Sequence, residues 1–112
     1  LVYREFTYAP DAARALLHCL HNYNESCPIN IGNTKQFLLR DVVNMIKDTL
    51  EYNGDIIFDT SKPKGQERKP SSNTKLTDTG WNVSNYTSLQ KGLKNTCEWF
   101  KINYPHNIRG LY

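Results

Sequence analysis

Between Ala12 and Tyr23 apolar residues recur at three- and four-residue spacing, at Ala12, Ala13, Leu16, Leu17, Leu20 and Tyr23. That period predicts an amphipathic helix ending near residues 22–24. Pro10 suits its first turn, where the missing N–H costs no bond, and Asp11 sits at the positive end of the helix dipole. A second stripe, Leu38, Leu39, Val42, Val43, Ile46 and Leu50, predicts another helix with Arg40, Asp41, Lys47 and Asp48 on its wet side. Asn53-Gly54 stops it. A third stripe runs through Leu89, Leu93, Cys97 and Phe100, with Tyr104 one turn on. Thr87-Ser88-Leu89-Gln90 reads as its capping box.

Shorter signals lie between these helices. Glu5–Tyr8 alternates polar and aromatic residues, Pro28–Gly32 is a brief apolar run closed by glycine, and Asp55–Asp59 encloses Ile56, Ile57 and Phe58. Each reads as a short strand. Residues 60–72 form a polar loop, and Asn73–Thr79 holds one or two helical turns, ended by Gly80 and anchored by Trp81. Strands alternating with helices imply right-handed crossovers and a small parallel or mixed sheet. The expectation is therefore an α/β fold of three main helices with a few short strands.

Such a sheet is too narrow to cover three helices, and composition points the same way. Hydrophobic residues are 38% of the 112, against about 45–50% in ordinary globular domains. A chain of 13.0 kDa would still bury much of its surface, exposing about 6,300 Å² folded against about 19,000 Å² extended. It opens at Leu1 rather than Met, and its one Met, Met45, lies inside a predicted helix. These features together read as one domain cut from a longer chain.

The longest apolar runs are three residues, such as Ala15-Leu16-Leu17, so a membrane-spanning helix and a signal segment are excluded from these residues. Cys19, Cys27 and Cys97 are odd in number and lack metal-ligand spacing, which suits a reducing, cytoplasmic setting. The Asn-x-Ser/Thr triplets at Asn24, Asn82 and Asn85 are read as unmodified. A net charge of +3 permits phosphate binding without demanding nucleic acid. All six glycines stand well apart, so the chain holds no glycine-rich dinucleotide loop and no P-loop, and neither a Gly-x-Ser-x-Gly elbow nor a His-Glu-x-x-His helix occurs.

His18 and His21 are one helical turn apart, yet Cys19 points away from their edge. The expectation is two surface histidines and a core-facing cysteine rather than a metal site. Lys62, Lys64, Arg68 and Lys69 face a single acid, Glu67, across a loop that Pro63 and Gly65 keep out of helix and strand. Lysine and arginine here supply charge-assisted donors for a diphosphate, although composition alone favours a solvated surface loop. Arg4 lies at a strand end, where either a ligand or a structural ion pair engages it. Trp99, Phe100 and Tyr104 interleave with Lys101, and the fit of Phe100 and Tyr104 to the helix stripe favours packing over nucleic-acid stacking.

The string as a whole resembles a known family. Arg4-Glu5-Phe6-Thr7-Tyr8 before Asp11-Ala12-Ala13, Ile29-Asn30-Ile31-Gly32, Phe58-Asp59-Thr60-Ser61-Lys62-Pro63, Lys75-Leu76 with Gly80-Trp81, and Cys97-Glu98-Trp99-Phe100 resemble the fucose synthase branch of the extended short-chain dehydrogenases/reductases, the NAD-dependent epimerase/dehydratase family. The resemblance covers nearly the whole chain. It implies the C-terminal substrate-binding portion, residues 1–112, of a two-domain enzyme whose Rossmann domain is absent from these residues. That domain would hold NADP(H) and the catalytic Ser-Tyr-Lys, Cys and His groups, so the fragment alone is expected to be inactive and to bind no cofactor. The implied reaction converts GDP-4-keto-6-deoxy-D-mannose to GDP-L-fucose, and the full-length enzyme is expected to be a homodimer. By the same resemblance Arg4 and Lys69 contact the GDP-sugar diphosphate, with Lys62 a further candidate. Lys64 stands where the family usually carries Asp, and Pro10 replaces an acidic residue. Another nucleotide-sugar epimerase or dehydratase, or a stand-alone module binding nucleic acid or protein through its basic loop, are the alternatives.

Overall fold

The computed structural model describes residues 1–107, and the end of the expected 1–112 domain lies outside them. The chain runs β1 (Tyr3–Glu5), α1 (Ala9–Asn22), β2 (Gln36–Leu38), α2 (Leu39–Thr49), α3 (Thr74–Asp78), a 3₁₀ turn (Val83–Asn85) and α4 (Leu89–Asn103). Three long helices are present as their periodicity requires, and the short α3 ends where Gly80 adopts φ +95°. That conformation suits glycine and few other residues.

The strands depart from expectation. β1 and β2 form a two-stranded antiparallel sheet, with Tyr3 opposite Leu38, Arg4 opposite Phe37 and Glu5 opposite Gln36. The predicted parallel or mixed sheet is therefore absent among the described residues. Residues 6–8 leave the ladder, because Tyr8 is already the extended N-cap of α1 and its carbonyl accepts from Asp11 N–H at 2.9 Å. Residues 28–32 form no strand. Side chains meet the backbone at both ends of the segment: Gly32 N–H donates to Asn73 Oδ1 at 3.1 Å, Asn73 Nδ2 donates to Gly32 O, and Lys75 Nζ donates to Pro28 O at 3.1 Å. Residues 55–59 are not a strand either, and Ile56, Ile57 and Phe58 are exposed. Apolar runs of this length become strands only when a partner edge is available.

One core cluster joins Ala15 of α1, Leu76 of α3 and Trp81, with Cys19, Ile29, Ile31 and Tyr86 packed around it. Elsewhere α2 packs along α4, and Val42 and Cys97 are the buried members of these helices' apolar stripes. The buried edge of α1 is Asp11 and Ala15, with Cys19 next along it. Leu16, Leu17 and Leu20 of its apolar stripe are 61%, 59% and 75% exposed. The stripe thus faces outward rather than into the core. Phe100 and Tyr104 are likewise exposed, their rings tilted by 34° with centroids 5.3 Å apart, so the expected core packing does not hold for them. The accessible surface, 8662 Å², exceeds the roughly 6,300 Å² of a compact monomer of this mass. The shortage of apolar cover is real and localised.

The tie between α1 and α4 is polar. Asp11, fully buried, accepts from Thr87 N–H at 2.7 Å and from Thr87 Oγ1 at 3.1 Å, and it pairs with Arg14. Thr87 is therefore not the helix cap. Ser88 takes that place, its hydroxyl accepting from Lys91 N–H at 3.3 Å. Gly92 lies against Tyr8, whose Cβ is 3.2 Å from where a side chain would begin. His18 is half-buried rather than at the surface. Its Nε2 lies 3.0 Å from Thr79 Oγ1 and its ring 5.2 Å from Trp81.

Candidate functional site

A groove of about 520 Å³ opens where the first residues of the chain, the β2–α2 junction and the segment 58–64 converge. Leu39 N–H donates to Val2 O at 2.8 Å, which carries the sheet bonding one step past β2 and draws the start of α2 against the start of the chain. Leu38, Leu39 and Arg40 thereby face the same space as Arg4. Phe58, Asp59, Thr60, Lys62, Pro63 and Lys64 complete its lining.

The basic loop is laced to β1. Tyr3 N–H donates to Glu67 O at 2.8 Å, and the Arg68 guanidinium lies 3.9 Å from the Tyr3 ring centroid, within cation–π range. Further on, Glu5 accepts from Ser71 N–H at 2.8 Å and from Ser71 Oγ at 2.6 Å. Gly32 sits so close to Ser71 Oγ that a Cβ would collide with it. These contacts fix the far end of the loop, while its near end turns at Asp59. There Asp59 Oδ1 accepts from Ser61 Oγ at 2.6 Å and from Ser61 N–H at 2.9 Å. Those bonds, the hydroxyl first, hold the Asp59 carboxyl below the ordinary aspartate range. The one acid on the groove wall is thus ionised and committed to a turn.

Arg4 Nη1 donates to its neighbour's Tyr3 carbonyl at 2.6 Å and reaches Glu67 O at 3.5 Å. It is tethered to the loop backbone rather than to a carboxylate, so among the described residues the structural ion pair considered from sequence is not formed. Arg4 and Lys62 share the groove, joined by Lys64 and by Arg40, whose guanidinium lies 5.6 Å from the Phe58 ring centroid. Lys69 lies further along the exposed loop and does not line this space. Arg40 escaped sequence reading because helical periodicity assigns it to the wet side of α2. Its position in the first helical turn, just after a strand, was the available signal. Among the described residues no His, Cys, Asp and Glu are grouped as a metal would require, and all three cysteines are free. No helix there is long and apolar enough to cross a membrane.

No protein-family model matches the chain. Individual relatives do. A GDP-L-fucose synthase of Dictyostelium discoideum is 36% identical over 103 residues, which is 90% of this chain and 32% of the relative. A GDP-L-colitose synthase of Yersinia pseudotuberculosis is 35% identical over 93% of this chain and 33% of its own length. The crystal structure of a GDP-L-fucose synthetase from Naegleria fowleri superposes with a TM-score of 0.83 at 36% identity, covering 92% of this chain and 32% of that one. The chain spans about a third of the length of these relatives. Sequence and fold together make it a homologue of the GDP-L-fucose synthases over that third.

Proposed function

We propose that these residues are the GDP-sugar-binding portion of a GDP-L-fucose synthase, the C-terminal part of a two-domain enzyme that converts GDP-4-keto-6-deoxy-D-mannose to GDP-L-fucose. The observation that carries this reading is the groove in which Arg4 and Lys62 meet, in a chain 36% identical to a GDP-L-fucose synthase. Two cations lining one groove suit a diphosphate, whose charge and oxygen acceptors match guanidinium and ammonium donors. Lys69, on the same loop, meets the substrate only if the loop folds over it.

The chain has no glycine-rich loop, so NADP(H) is assigned to residues outside it, together with the catalytic groups and the surfaces of a homodimer. Alone, the chain binds and does not turn over. The outward apolar face of α1 is where the cofactor-binding domain would pack. The relative named a colitose synthase favours a second reading in which the sugar differs and the nucleotide does not, since both names share GDP. Neither name supports a stand-alone nucleic-acid or protein-binding module.

The test is a titration of the chain with GDP, UDP and dTDP, followed by backbone NMR. GDP is expected to shift Arg4, Lys62 and the 58–69 loop and to bind more tightly than UDP or dTDP, with Arg4→Ala and Lys62→Ala each weakening it. Equal response to all three, or none at these residues, would refute the assignment. GDP-fucose against GDP-colitose then separates the two sugars.

A further inference from the structure

Ser71 clasps the basic loop onto β1 through two bonds to one carboxylate. Its N–H donates to Glu5 Oε1 at 2.8 Å and its hydroxyl to Glu5 Oε2 at 2.6 Å. Gly32 stands directly behind that hydroxyl, and the Asn73 side chain holds Gly32 there at 3.1 Å. The clasp therefore leaves no room for a larger group on Ser71 Oγ. Upstream the chain is open: residues 55–70 are all exposed and form neither helix nor strand. Arg68 and Lys69 lie three and two positions before Ser71, and neither is paired with a carboxylate among the described residues. Protein kinases with acidic clefts select their serines by such charge patterns in extended segments.

From this arrangement we infer that Ser71 is a phosphorylation site for a protein kinase that reads basic residues, and that its phosphorylation opens the Glu5 clasp. In the transfer Ser71 Oγ bonds to the γ-phosphorus of ATP, the bond to the departing ADP breaks, and the hydroxyl proton passes to the kinase's base. The product carries about −1.5 to −2 charge. It has no hydroxyl proton left to give Glu5, and it would stand against both that carboxylate and Gly32, so repulsion and crowding keep it out. Tyr3 and Arg4, through Glu67 O and Arg68, are left to hold the loop to β1. The segment carrying Lys62, Lys64 and Lys69 is thereby loosened, whichever ligand the groove takes.

The wild-type chain, Ser71→Ala and the double variant Arg68→Ala/Lys69→Ala are incubated with ATP and the catalytic subunit of cAMP-dependent protein kinase, and phosphopeptides are mapped by mass spectrometry. Wild type is expected to gain one phosphate at Ser71 and Ser71→Ala none in that segment. The double variant should react at least about tenfold more slowly, the scale of lost charge-assisted contacts. In phosphorylated wild type the Glu5 and Gly32 amide signals are expected to shift, and Ser71 N–H exchange to quicken at least about tenfold as the clasp opens. Ser71→Ala keeps the N–H bond and should quicken it less. If Ser71 of the native chain takes no phosphate, even where a free peptide of residues 66–76 does, or if the double variant reacts as fast as wild type, the site is refuted. Phosphate on Ser71 with unmoved Glu5 and Gly32 signals would overturn the opening of the clasp.

Discussion

Replacing Asp11 by alanine tests the tie between α1 and α4. Asp11 is fully buried and accepts two bonds from Thr87, 76 residues away in sequence, at 2.7 and 3.1 Å. Hydrogen bonds to a charged group contribute about 1.5–3 kcal/mol each, and an orphaned buried N–H costs about 1–3 kcal/mol. Loss of a carboxylate from the first turn of α1 adds about 0.3–1 kcal/mol. These contributions overlap, and about 3–5 kcal/mol is the expected total, similar to breaking a buried ion pair. The Arg14 partner is different. Its side chain is 54% exposed, so Arg14→Ala is expected to cost no more than about 1 kcal/mol. Asp11→Asn keeps an acceptor and loses the charge, and should fall between them. Urea unfolding followed by circular dichroism measures all three. With an m-value of about 1–3 kcal/mol/M, Asp11→Ala lowers the midpoint by at least about 1 M. If Asp11→Ala costs as little as Arg14→Ala, the Thr87 bonds do not hold α1 to the start of α4, and the reasoning is wrong.

Two other outcomes follow from titratable groups. Because Ser61 holds the Asp59 carboxyl below its ordinary range, the turn's contribution to stability is present above the unfolded-state aspartate pKa and is lost as pH falls through the folded one. A carboxyl-detected NMR titration should show Asp59 titrating below ordinary aspartates, and Ser61→Ala should move it back up; an unshifted Asp59 in wild type would sink the account. Burial pushes the Cys97 thiol up, against a smaller downward pull from Lys101, so it stays protonated at neutral pH. Maleimide labelling of the native chain should therefore modify exposed Cys27 first and Cys97 last, and equal rates would mean that Cys97 is not buried on α4 where it packs along α2.

The three long helices are legible because their signals are local: a 3.6-residue period and Pro10 in a first turn. The stop expected at Asn53-Gly54 falls earlier, since α2 ends at Thr49 and the chain turns at Glu51, with φ 53°. Which helix face is buried is less so. Leu16, Leu17 and Leu20 form the most apolar side of α1, yet the described residues cover the side carrying Asp11, Ala15 and Cys19. Periodicity identifies a face that wants cover, not the element that supplies it. The strands were misread for a related reason. Ile56, Ile57 and Phe58 have strand-forming side chains, but a strand exists only against a partner, and residues 28–32 obtain theirs from Asn73 and Lys75 side chains. Part of the candidate site was visible in the basic loop and Arg4. Arg40 and Phe58 were not, since each looked like an ordinary member of its element.

Sequence alone determined the helices, the cationic loop, the short apolar supply and, through its motifs, the kinship with fucose synthases. These depend on residues a few positions apart, where spacing and residue type suffice. Tertiary structure decided the antiparallel pairing of Tyr3–Glu5 with Gln36–Leu38, the burial of Asp11 beneath Thr87 and the convergence of Arg4, Arg40, Phe58 and Lys62 on one groove. Each joins segments tens of residues apart, and the free energy that selects such contacts comes from burial and hydrogen-bond satisfaction of the whole chain at once, which no local pattern contains.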